Sequence, residues 1–295
     1  MAEFFGALTQ HSFLWQALIA GLLASVGCGL MGPFVVVKRI TFLAGGIAHS
    51  VLAGMGMAVY FAFNPLLGAL IAAIVAALLI GWVRLYSEAR EDTTIGALWA
   101  IGMAVGILFI AETPGYASDL MSFLFGNILL VPARELLFMA LLDAVLLLSL
   151  TLFYRQFVAV AFDEEFARLR GVPVSTLYLA LLVMVAITVV LMIQVVGLIL
   201  VIALLTLPAA IAGLWTSSLA MMMVLATLLG MLFTSGGLAL SYAPDWPAGP
   251  TMIVLAGSTY FLALVAQRLW QMWQRHMSLA AQQNDHLRPG THEPD

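Results

Sequence analysis

Two ionisable side chains lie inside long apolar stretches, and their chemistry gives the first indication of function. His49 lies in Ala44-Gly-Gly-Ile-Ala-His49-Ser50, and Asp143 lies in Leu141-Leu-Asp143-Ala. A neutral imidazole is a common ligand of zinc and related ions, while a carboxylate can hold a metal ion or a proton. Both groups are costly in apolar surroundings, so each is a candidate functional residue, with Ser50 as a further weak metal contact. The alternative for His49 and Asp143 is a hydrogen-bonded packing role.

The sequence lacks the motifs of an enzyme. Lys38 is the one lysine, and it follows Val37 rather than a glycine, so there is no phosphate-binding P-loop. Cys28 is the one cysteine, which excludes a disulfide framework and a cysteine zinc site. No metalloprotease or serine-hydrolase motif occurs. We therefore expect a transport subunit without catalytic residues or a permanently bound cofactor, and any ATP must be hydrolysed by another chain.

The composition indicates a membrane protein. Of the 295 residues, 63% are hydrophobic and 9% are charged, whereas soluble domains carry about 25% charged residues. The 26 charged side chains (11 basic and 15 acidic) cannot cover a soluble surface of this size. The net charge of −4 and the lack of a basic cluster argue against nucleic acid as a partner. The chain is predicted to be an all-α polytopic protein in contact with the lipid bilayer.

Nine stretches are long and apolar enough to cross a bilayer, which requires about 20 residues each. A shorter apolar segment, Leu120–Val131, is predicted to form a re-entrant or surface helix. Pro208 lies in the seventh stretch and should kink or break that helix. Gly102 and Gly106 form a small-residue pair of the kind that allows close helix packing. The nine predicted spans are 13–37, 46–63, 66–83, 95–111, 135–154, 174–193, 195–214, 218–240 and 250–267.

The positive charges predict an orientation. With nine spans and the N-terminus outside, ten of the eleven basic residues fall on one side, which is the cytoplasmic side by the positive-inside rule, and only Arg134 lies opposite. Residues 1–12 are then an extracytoplasmic N-terminus and residues 13–268 a transmembrane domain. Residues 269–295 are polar and are expected to form a disordered cytoplasmic tail. Three histidines in this tail leave a metal-sensing role as an alternative to simple solvation.

The longest predicted cytoplasmic loop has the pattern of a short amphipathic helix. Acidic residues 163–165 precede Arg168 and Arg170, an order that suits the helix dipole, and Gly171 ends the segment. Phe162, Phe166 and Leu169 fall on one face. An apolar face between two spans suggests docking to a partner, and the alternative is a helix lying flat on the membrane.

The sequence resembles the membrane permeases of ABC-type zinc/manganese uptake systems, from about Ser12 to Arg268. Four groups of segments carry the resemblance, in order and at the expected separations. They are Gly32–Leu43 with Ile47–Ser50, then Asp119–Gly126, then Asp163–Pro173, and last Val196–Ala210 with Thr234–Gly237 and Pro247–Pro250.

The resemblance implies a type II ABC importer-like permease in the bacterial inner membrane. Such permeases pair as homodimers, bind two cytoplasmic ABC ATPase subunits that hold the ATP, and receive the ion from an extracytoplasmic metal-binding protein. His49 matches a histidine near the metal path, where it would make a transient contact. The segment at about 162–171 matches the coupling helix, and its implied ATPase-coupling residues are Asp163, Glu165, Phe166, Arg168 and Gly171.

Two departures from the family pattern affect the expected ion. Gly45 stands where relatives commonly have an Asp four residues before the histidine, and Asn127 replaces the Asp of a Phe-Gly-Asp segment. Fewer carboxylates mean fewer hard oxygen ligands, so zinc is favoured as the transported ion over manganese or iron. A different class, a proton-coupled secondary transporter with Asp143 as its protonation site, remains the alternative.

Overall fold

The computed structural model describes residues 6–8, 11–86, 91–113, 126–198 and 201–286. These residues form helices and turns with no strand among them, and each predicted span corresponds to a helix. The helices are α1 (Ser12–Val37), α2 (Thr41–Tyr60), α3 (Pro65–Tyr86), α4 (Glu91–Ala111), α5 (Ala133–Phe162), α6 (Glu164–Leu169), α7 (Val174–Val196), α8 (Val201–Trp215), α9 (Leu219–Tyr242) and α10 (Ala248–His286).

Eight of these helices are long and apolar enough to cross a membrane. The remaining predicted span corresponds to α8, a shorter apolar helix whose 15 residues extend about 22 Å, less than the ~30 Å hydrocarbon core. It begins at Val201 rather than at the predicted position 195, because Gly197 ends α7 with a left-handed φ of 77°. The helix does not break at Pro208, since α8 continues through that residue, and the predicted kink there stays a prediction.

The helices pack in two connected groups. α1 contacts α5, α7, α8 and α9, while α2 packs mainly between α3 and α4. α7 joins the groups because it contacts both α1 and α3. Polar contacts reinforce the first group, since the hydroxyl oxygens of Ser25 in α1 and Thr234 in α9 lie 3.2 Å apart.

Small residues bring α2 close to both of its neighbours. A Cβ atom at Gly102 of α4 would lie 2.6 Å from the Ser50 Cα, and one at Gly54 of α2 would lie 2.6 Å from the Ala72 Cβ of α3. Neither position has room for a side chain. The packing role predicted for the Gly102–Gly106 pair is therefore confirmed at Gly102, and it fixes the helix that carries His49.

A tight turn joins α1 to α2. Arg39 adopts a left-handed φ of 57°, and the backbone N–H groups of Arg39 and Ile40 donate to the carbonyl oxygens of Val36 and Val35 at 3.2 and 3.0 Å. This pair of bonds is the Schellman helix end. Because the chain reverses so sharply, α2 begins at Thr41, five residues before the predicted start at 46, and His49 lies about two turns into the helix.

The helix α10 extends into the polar C-terminal segment and continues to His286. The segment contains no Pro or Gly between Gly257 and Pro289, which lets one helix continue. Residues 287–295 and residues 120–125 lie outside the described parts of the chain. The rest of the Leu120–Val131 segment contains only a 3₁₀ turn at Ile128–Leu130.

Candidate functional site

His49 lies in the interior with its imidazole ring stacked on an indole. Its side chain is 8% exposed, and the ring centroids of His49 and Trp99 are 4.0 Å apart with an interplanar angle of 10°. Its Nδ1 atom is buried and has no hydrogen-bond partner within the described residues. Buried polar atoms are nearly always paired, so an unpaired nitrogen needs an explanation. The ring is held in one plane by Trp99, and its Nδ1 is buried and unpaired among the described residues.

Ser50 connects α2 with α4. Its hydroxyl oxygen lies 2.7 Å from the Gly46 carbonyl oxygen and 3.2 Å from the Leu98 carbonyl oxygen. Its hydrogen is therefore used by backbone acceptors, and only its oxygen lone pairs could face a cation. Ser50 also lines a cavity of about 450 Å³ between α2, α3 and α4 whose other lining residues are apolar or glycine.

The position of the missing carboxylate is occupied by apolar groups. A Cβ atom at Gly45 would lie 2.9 Å from the Ile202 Cδ1 and 3.4 Å from the Trp99 Cζ3. Gly45 and His49 therefore face the same indole, and a side chain at position 45 would require the end of the Ile202 side chain to shift. Trp99 was missed by the sequence analysis, because nothing in the sequence pairs a residue of α4 with His49.

Asp143 lies in a different part of the protein. It is 6% exposed, and both of its carboxylate oxygens are buried without a hydrogen-bond partner within the described residues. A Cβ atom at Gly27 of α1 would lie 3.0 Å from its Oδ1 and 3.6 Å from the Thr188 Cγ2 of α7. Asp143 thus faces α1 and α7, whereas His49 stacks against α4. The described part of the chain holds no cluster of three or more His, Cys, Asp or Glu side chains that could bind a metal ion.

A second cavity, which is polar, was not predicted from the sequence. It has a volume of about 330 Å³ and is lined by Asn127 and Glu135 together with Met55, Leu66, Ile193 and their neighbours. These residues lie at the ends of α2 and α7 and the starts of α3 and α5, which is the opposite end of the bundle from Lys38. Glu135 follows Arg134 in the first turn of α5, where an acid is an ordinary helix-start residue. Its sequence position therefore gave no signal of a cavity.

The predicted amphipathic helix is present as α6. Asp163 is its N-cap, since its Oδ1 accepts a hydrogen bond from the Phe166 backbone N–H at 2.9 Å. Gly171 ends the segment with a φ of 76°. Ala167 faces inward, while Phe166 is exposed and Leu169 is 87% exposed. The helix is shorter than the predicted 162–171, and the exposed apolar face confirms its amphipathic character.

The rest of the predicted coupling set lies on the same surface. Glu165 and Arg168 are exposed on α6, and the Arg170 guanidinium lies 4.9 Å from the Phe166 ring centroid. Charged groups therefore surround the exposed apolar face of α6. A surface of this kind suits a protein partner better than open solvent.

Residues 10–267 match the ABC 3 transport family. The chain is 38% identical to a probable metal transport system membrane protein of Chlamydia trachomatis over 86% of this chain and 89% of that one. It is 33% identical to the manganese transport system membrane protein MntC of Halalkalibacterium halodurans, over 88% and 89% of the two chains. Among solved structures, PsaBC from Streptococcus pneumoniae in complex with Fab matches with a TM-score of 0.82 and 30% identity, covering 89% of this chain and 94% of that one. This chain is therefore a multi-pass membrane protein that belongs to the ABC 3 transport family.

Proposed function

We propose that this chain is the transmembrane permease subunit of an ATP-driven importer of divalent metal ions. The family match and the metal-transport names of its relatives support the class. The observation that carries the proposal is the buried His49 ring, stacked on Trp99 with its Nδ1 unpaired. A fixed ring with a nitrogen that no protein group uses is what a reversible metal ligand requires.

The ion is proposed to move past His49 with few protein ligands. A divalent ion loses much hydration energy in an apolar environment, so a path needs some polar contacts. A path must also release the ion, which favours single, neutral ligands over a closed cluster of carboxylates. His49 supplies such a ligand, and the Ser50 oxygen is close to it in α2.

The cavity with Asn127 and Glu135 is the proposed entrance. It lies at the end of the bundle opposite α6, and its Glu135 carboxylate attracts cations. A soluble extracytoplasmic metal-binding protein would deliver the ion at this end. Asn127 contributes an amide oxygen where relatives have a carboxylate, so Glu135 is the acidic group of this cavity.

Zinc is the proposed ion, with manganese as the second candidate. The residues favour zinc, because an imidazole suits this borderline ion and the two family carboxylates are replaced by Gly45 and Asn127. The manganese transport relatives favour the other ion. Iron is the third candidate for the same path.

The partners are proposed from the surface of the chain. The exposed apolar face of α6, capped by Asp163 and ended by Gly171, is the docking site for a cytoplasmic ABC ATPase subunit. The chain itself has no P-loop, so ATP binds on that partner. A homodimer of permeases with two ATPase subunits would complete the transporter.

Metal accumulation tests this function. Cells lacking the gene should lose zinc under zinc limitation, and the wild-type chain should restore it, while a manganese deficit under manganese limitation would support the second candidate. The purified chain should bring down an ATPase and should transport only with ATP. Transport by the chain alone under a proton gradient, abolished by Asp143→Asn, would instead establish the secondary transporter.

A further inference from the structure

The one lysine of the chain joins α1 to the start of α6. The Lys38 Nζ donates to the Glu164 Oε1 at 2.5 Å and to the Val160 carbonyl oxygen at 2.7 Å. Val160 lies in the last turn of α5, where carbonyl groups lack helical partners. The Lys38 side chain is only 6% exposed. One ammonium group therefore ties the end of α1 both to the end of α5 and to the first residue of α6.

Arg84 also lies near Glu164, and it links that residue to Tyr178. The Arg84 Nη2 of α3 lies 3.8 Å from the same Glu164 Oε1. The Arg84 Nη1 donates to the Tyr178 hydroxyl at 2.8 Å, and its guanidinium lies 4.5 Å from the Tyr178 ring centroid. Tyr178 belongs to α7 and is buried. Glu164 is thus linked, directly or through one residue, to α1, α3 and α7.

The contact at Lys38 leads to the helix with the proposed metal ligand. Lys38 is the C-cap of α1, and the left-handed Arg39 follows it in the Schellman turn that starts α2. That turn is held by two backbone hydrogen bonds and leaves no flexible linker before Thr41. A displacement of α6 that pulls on Lys38 would therefore move the α1–α2 junction, and with it the helix that carries His49.

We propose that the Lys38–Glu164 ion pair transmits movement of α6 to the α1–α2 junction, and so links ATP hydrolysis on the partner to movement of the ion. This inference rests on the proposed docking of the ATPase at α6. Lys38 and Glu164 are positioning residues, since neither contacts the ion or ATP. A buried ion pair often adds little net stability, and in some proteins its role is to specify how two elements are placed, which is the role assigned to this pair.

The arrangement separates two functions within α6. Glu164 is half-buried and faces the permease, whereas the adjacent Glu165 is exposed. Loss of Glu165 should weaken docking of the ATPase. Loss of Glu164 should leave docking of the ATPase intact and remove the ion pair with Lys38.

The test compares transport with ATP hydrolysis in the assembled complex. The permease is purified with its ATPase and reconstituted in proteoliposomes, and uptake of Zn²⁺, and separately of Mn²⁺, is measured per ATP hydrolysed. Lys38→Met and Glu164→Gln should each retain the ATPase and lower this ratio roughly tenfold. The double variant should be no worse than the poorer single variant, because both changes break one contact. Lys38→Arg, which keeps the charge and the donors, should recover much of the ratio.

Arg155→Gln is the matched control, since it removes an exposed positive charge from α5 and should leave the ratio unchanged. A variant that merely folds less well lowers uptake and ATP hydrolysis together, so its ratio of uptake to hydrolysis stays at the wild-type value. If Lys38→Met and Glu164→Gln show this unchanged ratio, the inference is overturned. Additive effects in the double variant also overturn it. If no ATPase remains bound to the wild-type permease, the proposed function fails, and the inference fails with it.

Discussion

The Cys28 thiol donates a hydrogen bond to the Leu204 carbonyl oxygen at 2.7 Å, across 176 residues of sequence. Leu204 lies four residues before Pro208 in α8. Proline has no N–H, so this carbonyl is the one that loses its helical hydrogen bond. The thiol of α1 supplies the missing donor. This contact pairs the carbonyl that Pro208 leaves unpaired in α8, and it gives a structural role to the one cysteine of the chain.

Replacing Cys28 with alanine should destabilise the protein. The Leu204 carbonyl would be left buried without a donor, which costs about 1–3 kcal/mol. The measurement is the thermal midpoint of the detergent-solubilised protein. Adding Pro208→Ala should recover part of the loss, because the new N–H satisfies Leu204 from within the helix. A midpoint that is unchanged in Cys28→Ala would show that the contact contributes nothing.

Removing His49 or its stacking partner should impair uptake. His49→Ala is expected to lower metal uptake by about 10- to 100-fold at unchanged membrane abundance. Trp99→Ala should lower metal uptake less, because the His49 imidazole remains but is no longer held in one plane. Trp99→Phe should keep most of the uptake, because it retains an aromatic face against His49. Uptake is measured in cells with the variant quantified by immunoblotting. Normal uptake by His49→Ala removes this residue from the path.

Restoring the family carboxylate should require added space. Gly45→Asp alone should lower the amount of folded protein, because the end of the Ile202 side chain would have to shift. Combining it with Ile202→Ala should recover folding and place a carboxylate one turn before His49. The double variant should then take up more manganese relative to zinc, since hard oxygen ligands favour manganese. If a well-folded double variant takes up manganese and zinc in the wild-type ratio, the residue at position 45 does not determine ion selectivity.

Neutralising Glu135 should weaken capture of the ion. Glu135→Gln is expected to raise the ion concentration for half-maximal uptake about tenfold with little change in the maximal rate, since a charge ~4 Å from a cation is worth about 1–4 kcal/mol. Glu112→Gln, at an exposed acid just after α4, is the control of equal charge. If both variants behave alike, the effect is one of surface charge and the cavity has no special role.

Changing the exposed charges of α6 should release the ATPase. Glu165→Gln combined with Arg168→Gln is expected to reduce the ATPase recovered with the purified permease, because both side chains surround the apolar docking face. Membrane insertion should be unaffected, since neither residue lies in a span. Pull-down with an affinity-tagged permease measures the association. Full recovery of ATPase would contradict docking at α6.

The membrane class and most helix positions were predictable from the sequence. Side-chain apolarity sums along the chain, so a run such as Ser12–Val37 is recognisable without knowledge of its neighbours. The order of acidic and basic residues that indicated α6 is also local, as is the left-handed Gly171 that ends it. The family resemblance rested on such contiguous segments, and the family match at residues 10–267 confirmed it.

The site depended on contacts between helices, which the sequence could not supply. The stacking of His49 on Trp99, the filling of the Gly45 face by Ile202 and the separation of His49 from Asp143 each follow from how distant helices pack. The start of α2 at Thr41 follows from the backbone turn at Arg39. The pairing of the Leu204 carbonyl in α8 likewise depends on the Cys28 thiol of another helix. The sequence by itself determined which segments enter the membrane, because transfer of apolar side chains is a local and additive free energy. Only the tertiary structure decided which polar groups meet there, because a hydrogen bond or a ring contact depends on two atoms being brought within a few ångströms by helix packing.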